Sequence, residues 1–218
     1  MIVTVDGPAG AGKSSAAKAL ARLLGFEFLD TGAMYRVVTL AALRAQIDVR
    51  SEPSLAKLLT TIHMELEPGR VIFNGEDVTV AIRTAQVTKA SGAVADSRAV
   101  RRHLVGLQRA FATGRDMVCE GRDQGTVVFP DAACKFFLVA DPKERARRRQ
   151  RDMAARGEIV SCEEVLSAQD ERDRRDAARD LAPMIPAHDA IVLDSTRLTL
   201  EEVVDRMERE VRKRQATS

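Results

Sequence analysis

The sequence predicts an α/β fold with a parallel sheet, and three observations predict it. A β-branched run at 2–5 leads into a glycine-rich bend and then into the helical spacing of Ala16, Leu20 and Leu23. A second strand and helix, 26–29 and 33–45, follow at once, which is how a parallel α/β sheet begins. Further short strand candidates lie at 117–119, 135–139 and 191–193, the last two separated by helical stretches rather than by a tight turn.

Along the chain, the first helix spans 13–24 and stops at Gly25, whose missing Cβ suits a left-handed cap. Asp30 or Thr31 is placed to cap the helix over 33–45. The pattern then changes. A short helix at 53–61 precedes two β segments, 63–67 and 70–78, with turns at Pro68-Gly69 and Asn74-Gly75, so an antiparallel ribbon is inserted into the α/β frame. The stretch 84–113 reads as two helices broken near Asp96-Ser97. Two highly charged helices follow at 142–156 and 163–180, and a last helix at 200–214 leaves a frayed end at 215–218.

Composition narrows the function classes. With 34 Lys and Arg against 32 Asp and Glu, the chain lacks the basic excess of a general nucleic-acid binder, and no nucleic-acid partner is expected. Its 218 residues, 45% of them apolar, suit one large domain with small insertions. Cys119, Cys134 and Cys162 form no CxxC pair, and an odd, scattered set fits a reducing cytoplasm. The first residues run straight into a strand, so no signal peptide is expected. No apolar stretch approaches the roughly 20 residues of a membrane span. His63, His103 and His188 are scattered and match no metal-ligand spacing.

The bend itself carries chemistry. Gly7-Pro8-Ala9-Gly10-Ala11-Gly12-Lys13-Ser14 satisfies GxxxxGK[ST] at every fixed position, after a strand and at a helix start. Backbone N–H groups there, with the helix dipole, hold polyphosphate. Lys13, expected to face ligand rather than core, reaches the β- and γ-phosphates. Ser14 offers a hydroxyl to Mg²⁺, and Ser15 completes the donor segment. No NKxD guanine motif is present, which argues against a GTPase.

A second set of residues suits a phosphorylated acceptor. Thr31 and Arg36 follow the second strand, and Arg122 and Asp123 follow the run at 117–119, the strand ends at which α/β sheets bind ligands. An Arg can fork onto phosphate, and an Asp can accept from a base amino group. Arg172, Asp176 and Arg179 fall at i, i+4 and i+7, the spacing of one helix face. The denser run Arg145, Arg147, Arg148, Arg149 and Arg151 fits either a mobile lid or a solvated face. An acceptor monophosphate is already an oxyanion, so positioning and charge neutralisation suffice and no general base is required.

The segments GPAGAGKSS, LDTGAMYR, IRT, QRAF, GRDQGTVVFPDA, ERARRR, ERDRRDAAR and VLDST, in that order, resemble the bacterial cytidylate kinases over nearly the whole chain. The resemblance implies a P-loop-type, five-stranded parallel core (1–36, 84–144 and 166–218), a monophosphate-binding insertion (37–83) and a short lid (145–165). A monomer is expected. It implies ATP with Mg²⁺ as donor and CMP or dCMP as acceptor. It implies Thr31, Ser91, Arg101 and Asp123 around cytosine, with Arg98 and Arg102 as alternatives to Arg101. Arg36, Arg122 and Arg179 would hold the acceptor phosphate, Arg172 and Asp176 would lie near the sugar, and Arg148 would be the lid arginine. Gln124 departs from the apolar residue usual in the family. Two other readings share the phosphate loop: a kinase for another small acceptor such as UMP, AMP or shikimate, and a nucleotide-dependent switch or binding module.

Overall fold

Ile2–Asp6 forms β1, and its neighbours explain its composition. The computed structural model, which describes residues 1–155 and 157–216, places β1 at the centre of a five-stranded sheet of order β2-β6-β1-β7-β8. The other strands are β2 (Glu27–Asp30), β6 (Met117–Glu120), β7 (Cys134–Val139) and β8 (Ile191–Asp194). The β1–β6, β1–β7 and β7–β8 pairs run parallel. A central parallel strand is covered on both faces, so it reads as a continuous run rather than an alternation, and Val3, Thr4 and Val5 are all fully buried.

Helix α1 (Lys13–Leu24) starts after Gly12 and ends at Gly25, which takes the left-handed conformation expected of it. Its apolar stripe of Ala16, Ala17 and Leu20 joins Val203, Val204, Met207 and Val211 of a C-terminal helix (Leu200–Gln215) and Val3, Val5, Phe136 and Leu138 of the sheet in one core. Each fully buried Leu or Met there contributes about 1.5–3 kcal/mol of transfer free energy.

The chain forms two compact units, Met1–Phe28 with Gly114–Ser218, and Leu29–Thr113. In the second, α2 (Thr31–Arg44) is capped by Asp30, whose carboxylate accepts the Ala33 N–H at 3.0 Å. It packs on α4 (Ala85–Asp96) and α5 (Arg98–Ala112), and α3 (Glu52–Leu59) packs on α5. The break between α4 and α5 falls where Asp96-Ser97 predicts it, and the Ser97 side chain caps α5. The insertion is a three-stranded antiparallel sheet of β3 (Met64–Glu67), β4 (Arg70–Phe73) and β5 (Glu76–Asp77). Asn74 and Gly75 both have positive φ, 49° and 84°, the requirement of a tight hairpin turn.

In the first unit, α6 (Pro142–Ala154) and α7 (Cys162–Ala177) pack side by side, and the C-terminal helix becomes α8. One element was not expected and one expectation needs correction. Residues Gln124–Val128 form a short, wide helical turn that no periodicity announces. Helix α7 ends at Ala177, so Arg179 lies beyond it and does not share a helix face with Arg172 and Asp176. Arg156, the expected end of the Arg-rich helix, and Thr217 and Ser218 lie outside the described residues. Among the described residues, no helix is long and apolar enough to cross a membrane.

Candidate active site

The phosphate loop turns off the end of β1 in a space that admits only backbone. Gly7 has φ of 136°, and a Cβ on it would come within 2.0 Å of the Leu138 carbonyl oxygen. The loop then delivers Lys13 and Ser14 to the N-terminus of α1. Lys13 is 4% exposed rather than open as its motif position suggested, and its Nζ donates to the Pro8 carbonyl at 2.7 Å. Burial and the adjacent Arg122 push its pKa down to about 7, against the pull of Glu120, whose Oε1 stands 3.8 Å from Nζ.

Glu120 is the residue that sequence reading missed. It ends β6, beside β1, and its Oε2 accepts the Ser14 hydroxyl at 3.0 Å. The only signal was a carboxylate closing the apolar run 117–119. A hydroxyl and one carboxylate oxygen, beside a loop built for phosphate, make a donor set that fits Mg²⁺, which takes hard oxygens and keeps phosphate and water ligands. Among the described residues no group of three His, Cys, Asp or Glu forms a separate metal cluster.

Next to the loop lies a cavity of about 360 Å³, lined by Gly12, Ser15, Arg148, Ser195, Leu198 and Leu200 among others. Arg148 donates through Nη2 to the Ser195 carbonyl at 2.6 Å, through Nη1 to Ser195 Oγ at 3.1 Å and through Nε to Glu144 at 3.1 Å. Ser195 Oγ in turn donates to the Ala11 carbonyl at 3.0 Å, so Arg148 is anchored to the phosphate loop through one hydroxyl. A Cβ on Gly12 would stand 3.9 Å from Arg148 Nη1. The Arg-rich run is thus not a uniformly solvated face. Arg147 and Arg151 are exposed, Arg148 is half-buried at the cavity, and Arg145 is buried.

In the first unit, three arginines expected at the acceptor converge on one carboxylate. Asp176, 2% exposed, accepts from Arg179 Nη2 at 2.6 Å on Oδ1. Its Oδ2 lies 3.4 Å from Arg122 Nε and 3.8 Å from Arg172 Nε. Three guanidinium groups are therefore gathered without mutual repulsion scattering them, and Arg179 joins by curling back past the helix end. Asp123 is buried at the start of the 124–128 turn. That turn is pinned by Asp6, whose two carboxylate oxygens accept the consecutive N–H groups of Gln124 and Gly125 at 2.9 and 2.8 Å. Burial pushes the Asp6 carboxyl up to about 6, the two N–H donors pull it back, and Asp123 adds to the rise.

In the second unit, Thr31 is buried at the first position of α2. Arg36 Nη1 donates to Thr88 Oγ1 at 2.8 Å and to the Ile82 carbonyl at 3.1 Å, and Ser91 Oγ donates to the Thr88 carbonyl at 3.0 Å. Arg101 is buried, donates to the Tyr35 hydroxyl at 3.0 Å and lies 5.8 Å from the centre of that ring, whereas Arg98 and Arg102 are exposed. Tyr35 and Thr88 link residues that sequence had picked singly, and nothing in their spacing marked them.

A family model described as cytidylate kinase matches residues 3–213. A cytidylate kinase of Rhodopirellula baltica is 47% identical over 212 residues, covering 97% of this chain and 93% of its own. One of Pelotomaculum thermopropionicum is 48% identical, covering 93% of this chain and 92% of its own. Among solved structures, a shikimate kinase from Bacteroides thetaiotaomicron has a TM-score of 0.50 at 14% identity, with 97% of this chain and 98% of that one covered, a likeness of fold alone.

Proposed function

We propose a division of labour among these residues from one premise: the chain belongs to the cytidylate kinase family. It is a nucleoside-monophosphate kinase that transfers the γ-phosphoryl group of ATP to CMP or dCMP, giving CDP or dCDP and ADP. The observation that carries this is the family match across residues 3–213.

In the proposed mechanism the phosphate loop, Gly7 to Ser15, holds the donor triphosphate by its N–H groups, and Lys13 swings from Pro8 to the β- and γ-phosphates. The cavity beside Arg148 takes the donor's other end. Ser14 and Glu120 would hold Mg²⁺, which when bound neutralises phosphate oxygens. Arg122 and Arg179 grip the acceptor phosphate, and Arg172 lies beside them. The Asp176 carboxylate that gathers these arginines also accepts from the sugar hydroxyls. Arg36 is also assigned to the acceptor phosphate, Thr31, Ser91 and Arg101 are assigned to the base, and Asp123 reads the cytosine amino group. An acceptor oxygen attacks the γ-phosphorus, the bond to the β-phosphate oxygen breaks, and Arg148 with Lys13 neutralises the equatorial oxygens. Residues 37–83 serve as the monophosphate-binding insertion and 145–165 as a lid that excludes water. The enzyme works as a cytoplasmic monomer.

The test is ADP release, coupled to an indicator reaction, with CMP, dCMP, UMP, AMP, GMP and shikimate offered in turn. Turnover on CMP and dCMP well above the rest is expected. ADP release without any acceptor points to the switch reading, and preference for another acceptor defeats the assignment.

A further inference from the structure

One buried ion pair beside the phosphate loop touches no substrate in the roles above, and its arginine is the first residue of the proposed lid. Arg145 on α6 is 5% exposed, and its Nη1 donates to Asp173 Oδ2 on α7 at 2.5 Å. The same Nη1 donates to the Ala9 carbonyl at 2.9 Å, and the other Asp173 oxygen, Oδ1, accepts the Ala9 N–H at 3.2 Å. Both polar groups of one loop residue are therefore held by the two halves of one ion pair. The next residue is held by contact. A Cβ on Gly10 would come 2.7 Å from Gln169 Nε2 and 3.1 Å from Arg145 Cβ, so α6 and α7 press directly on the tip of the loop.

A carboxylate beside an anion-binding loop repels polyphosphate unless its charge is cancelled. Arg145 cancels it and leaves the pair neutral toward the donor. Exposed ion pairs contribute little, but this one is shielded and bonded to backbone at both ends. Its position on α7 gives it a consequence. Asp173 is flanked on the same helix by Arg172 and Asp176, so the helix that carries acceptor residues is bolted to the donor loop three residues from Asp176.

We infer that Arg145 and Asp173 are a positioning pair, which fixes the phosphate loop against the acceptor-binding helix and so sets the alignment of the two phosphates for transfer. The inference rests on the reading of Arg172 and Asp176 as acceptor residues. A misalignment of about 1 Å costs on the order of 100-fold in rate without removing any ligand contact. The pair should therefore act on kcat rather than on either KM.

The experiment compares Asp173→Ala, Asp173→Asn, Arg145→Ala and the double alanine variant by steady-state kinetics in both nucleotides, with thermal melts alongside. Asp173→Ala is expected to lower kcat about 10- to 100-fold with both KM values near wild type. Asp173→Asn, which keeps an acceptor for the Ala9 N–H, should restore most of that loss even if the alanine variants fold poorly. The double variant should lose no more than the worse single one, because the two side chains act as a unit. A raised KM for ATP with unchanged kcat would mean that the pair only shapes donor binding. A loss that follows melting temperature and is not restored by Asn would mean that it only holds the fold. Either result overturns the inference. Arg172→Ala separates the premise from it: an unchanged KM for CMP there refutes the acceptor reading of α7, whatever the Asp173 variants do.

Discussion

Binding of the donor should take up a proton, because Lys13 is held near neutrality before phosphate arrives. Buried among Pro8, Arg122 and Glu120, its ammonium titrates at about 7. Phosphate oxygens against Nζ restore the charged form and raise the pKa well above that. With a free-state pKa of about 7, Lys13 is charged in about 10% of molecules at pH 8 and about 50% at pH 7, so binding takes up about 0.9 and about 0.5 proton. The sign follows: above pH 7 donor affinity falls with pH, by up to about 1.4 kcal/mol per unit, because the bound state holds more protons than the free one. Calorimetric titration of Mg-ADP at pH 8, in buffers of different ionisation enthalpy, reads the uptake as a slope. At that pH, Asp6 is ionised before and after binding and adds nothing. Lys13→Met should abolish the slope. No uptake at pH 8, or an uptake that survives Lys13→Met, would refute the view that burial discharges this lysine.

Two further predictions concern Asp6 and Arg148. Asp6 titrates at about 6 in the fold against about 4 unfolded, so the folded state binds the extra proton and stability rises as pH falls through that window. Wild type should gain about 2 kcal/mol over Asp6→Asn between pH 7 and pH 4.5, read by denaturant unfolding; parallel curves would show that Asp6 is not raised. Arg148→Ala should lower kcat about 10²- to 10³-fold with little change in KM for CMP, and hydrogen exchange across 145–165 should slow when both nucleotides bind. Exchange that does not respond to the nucleotides would reject the lid.

Local signals were legible and distant ones were not. Gly12 and Gly25 bracket α1, Asn74-Gly75 turns the ribbon and Ser97 divides α4 from α5, because in each case the backbone conformation or cap belongs to the residue named. The wide turn at Gln124–Val128 exists because Asp6, more than a hundred residues earlier, accepts its first N–H groups, and no window on the sequence spans that distance. Glu120 meets Ser14 for the same reason, through neighbouring parallel strands. The ERARRR segment shows the limit most clearly. Arg145 is buried and Arg147 exposed within one helical turn, and which arginine binds the loop depends on where α7 packs. Arg122, Arg172, Asp176 and Arg179 were each legible as candidates, but that Asp176 gathers all three arginines emerged only from the fold.

A cytidylate kinase must choose cytosine, and the ratio of kcat/KM for CMP to that for UMP measures that choice. Cytosine presents an N4 amino donor where uracil presents an O4 acceptor, and under the proposed reading the buried carboxylate of Asp123 would accept from the first and repel the second. Wild type should strongly favour CMP. Asp123→Asn, which replaces one acceptor oxygen with a donor, should lower activity on CMP and narrow the ratio, by about tenfold or more for a lost charged hydrogen bond of about 1.5–3 kcal/mol. A ratio near one in wild type, or a ratio that Asp123→Asn leaves unchanged while both activities fall together, would contradict the account.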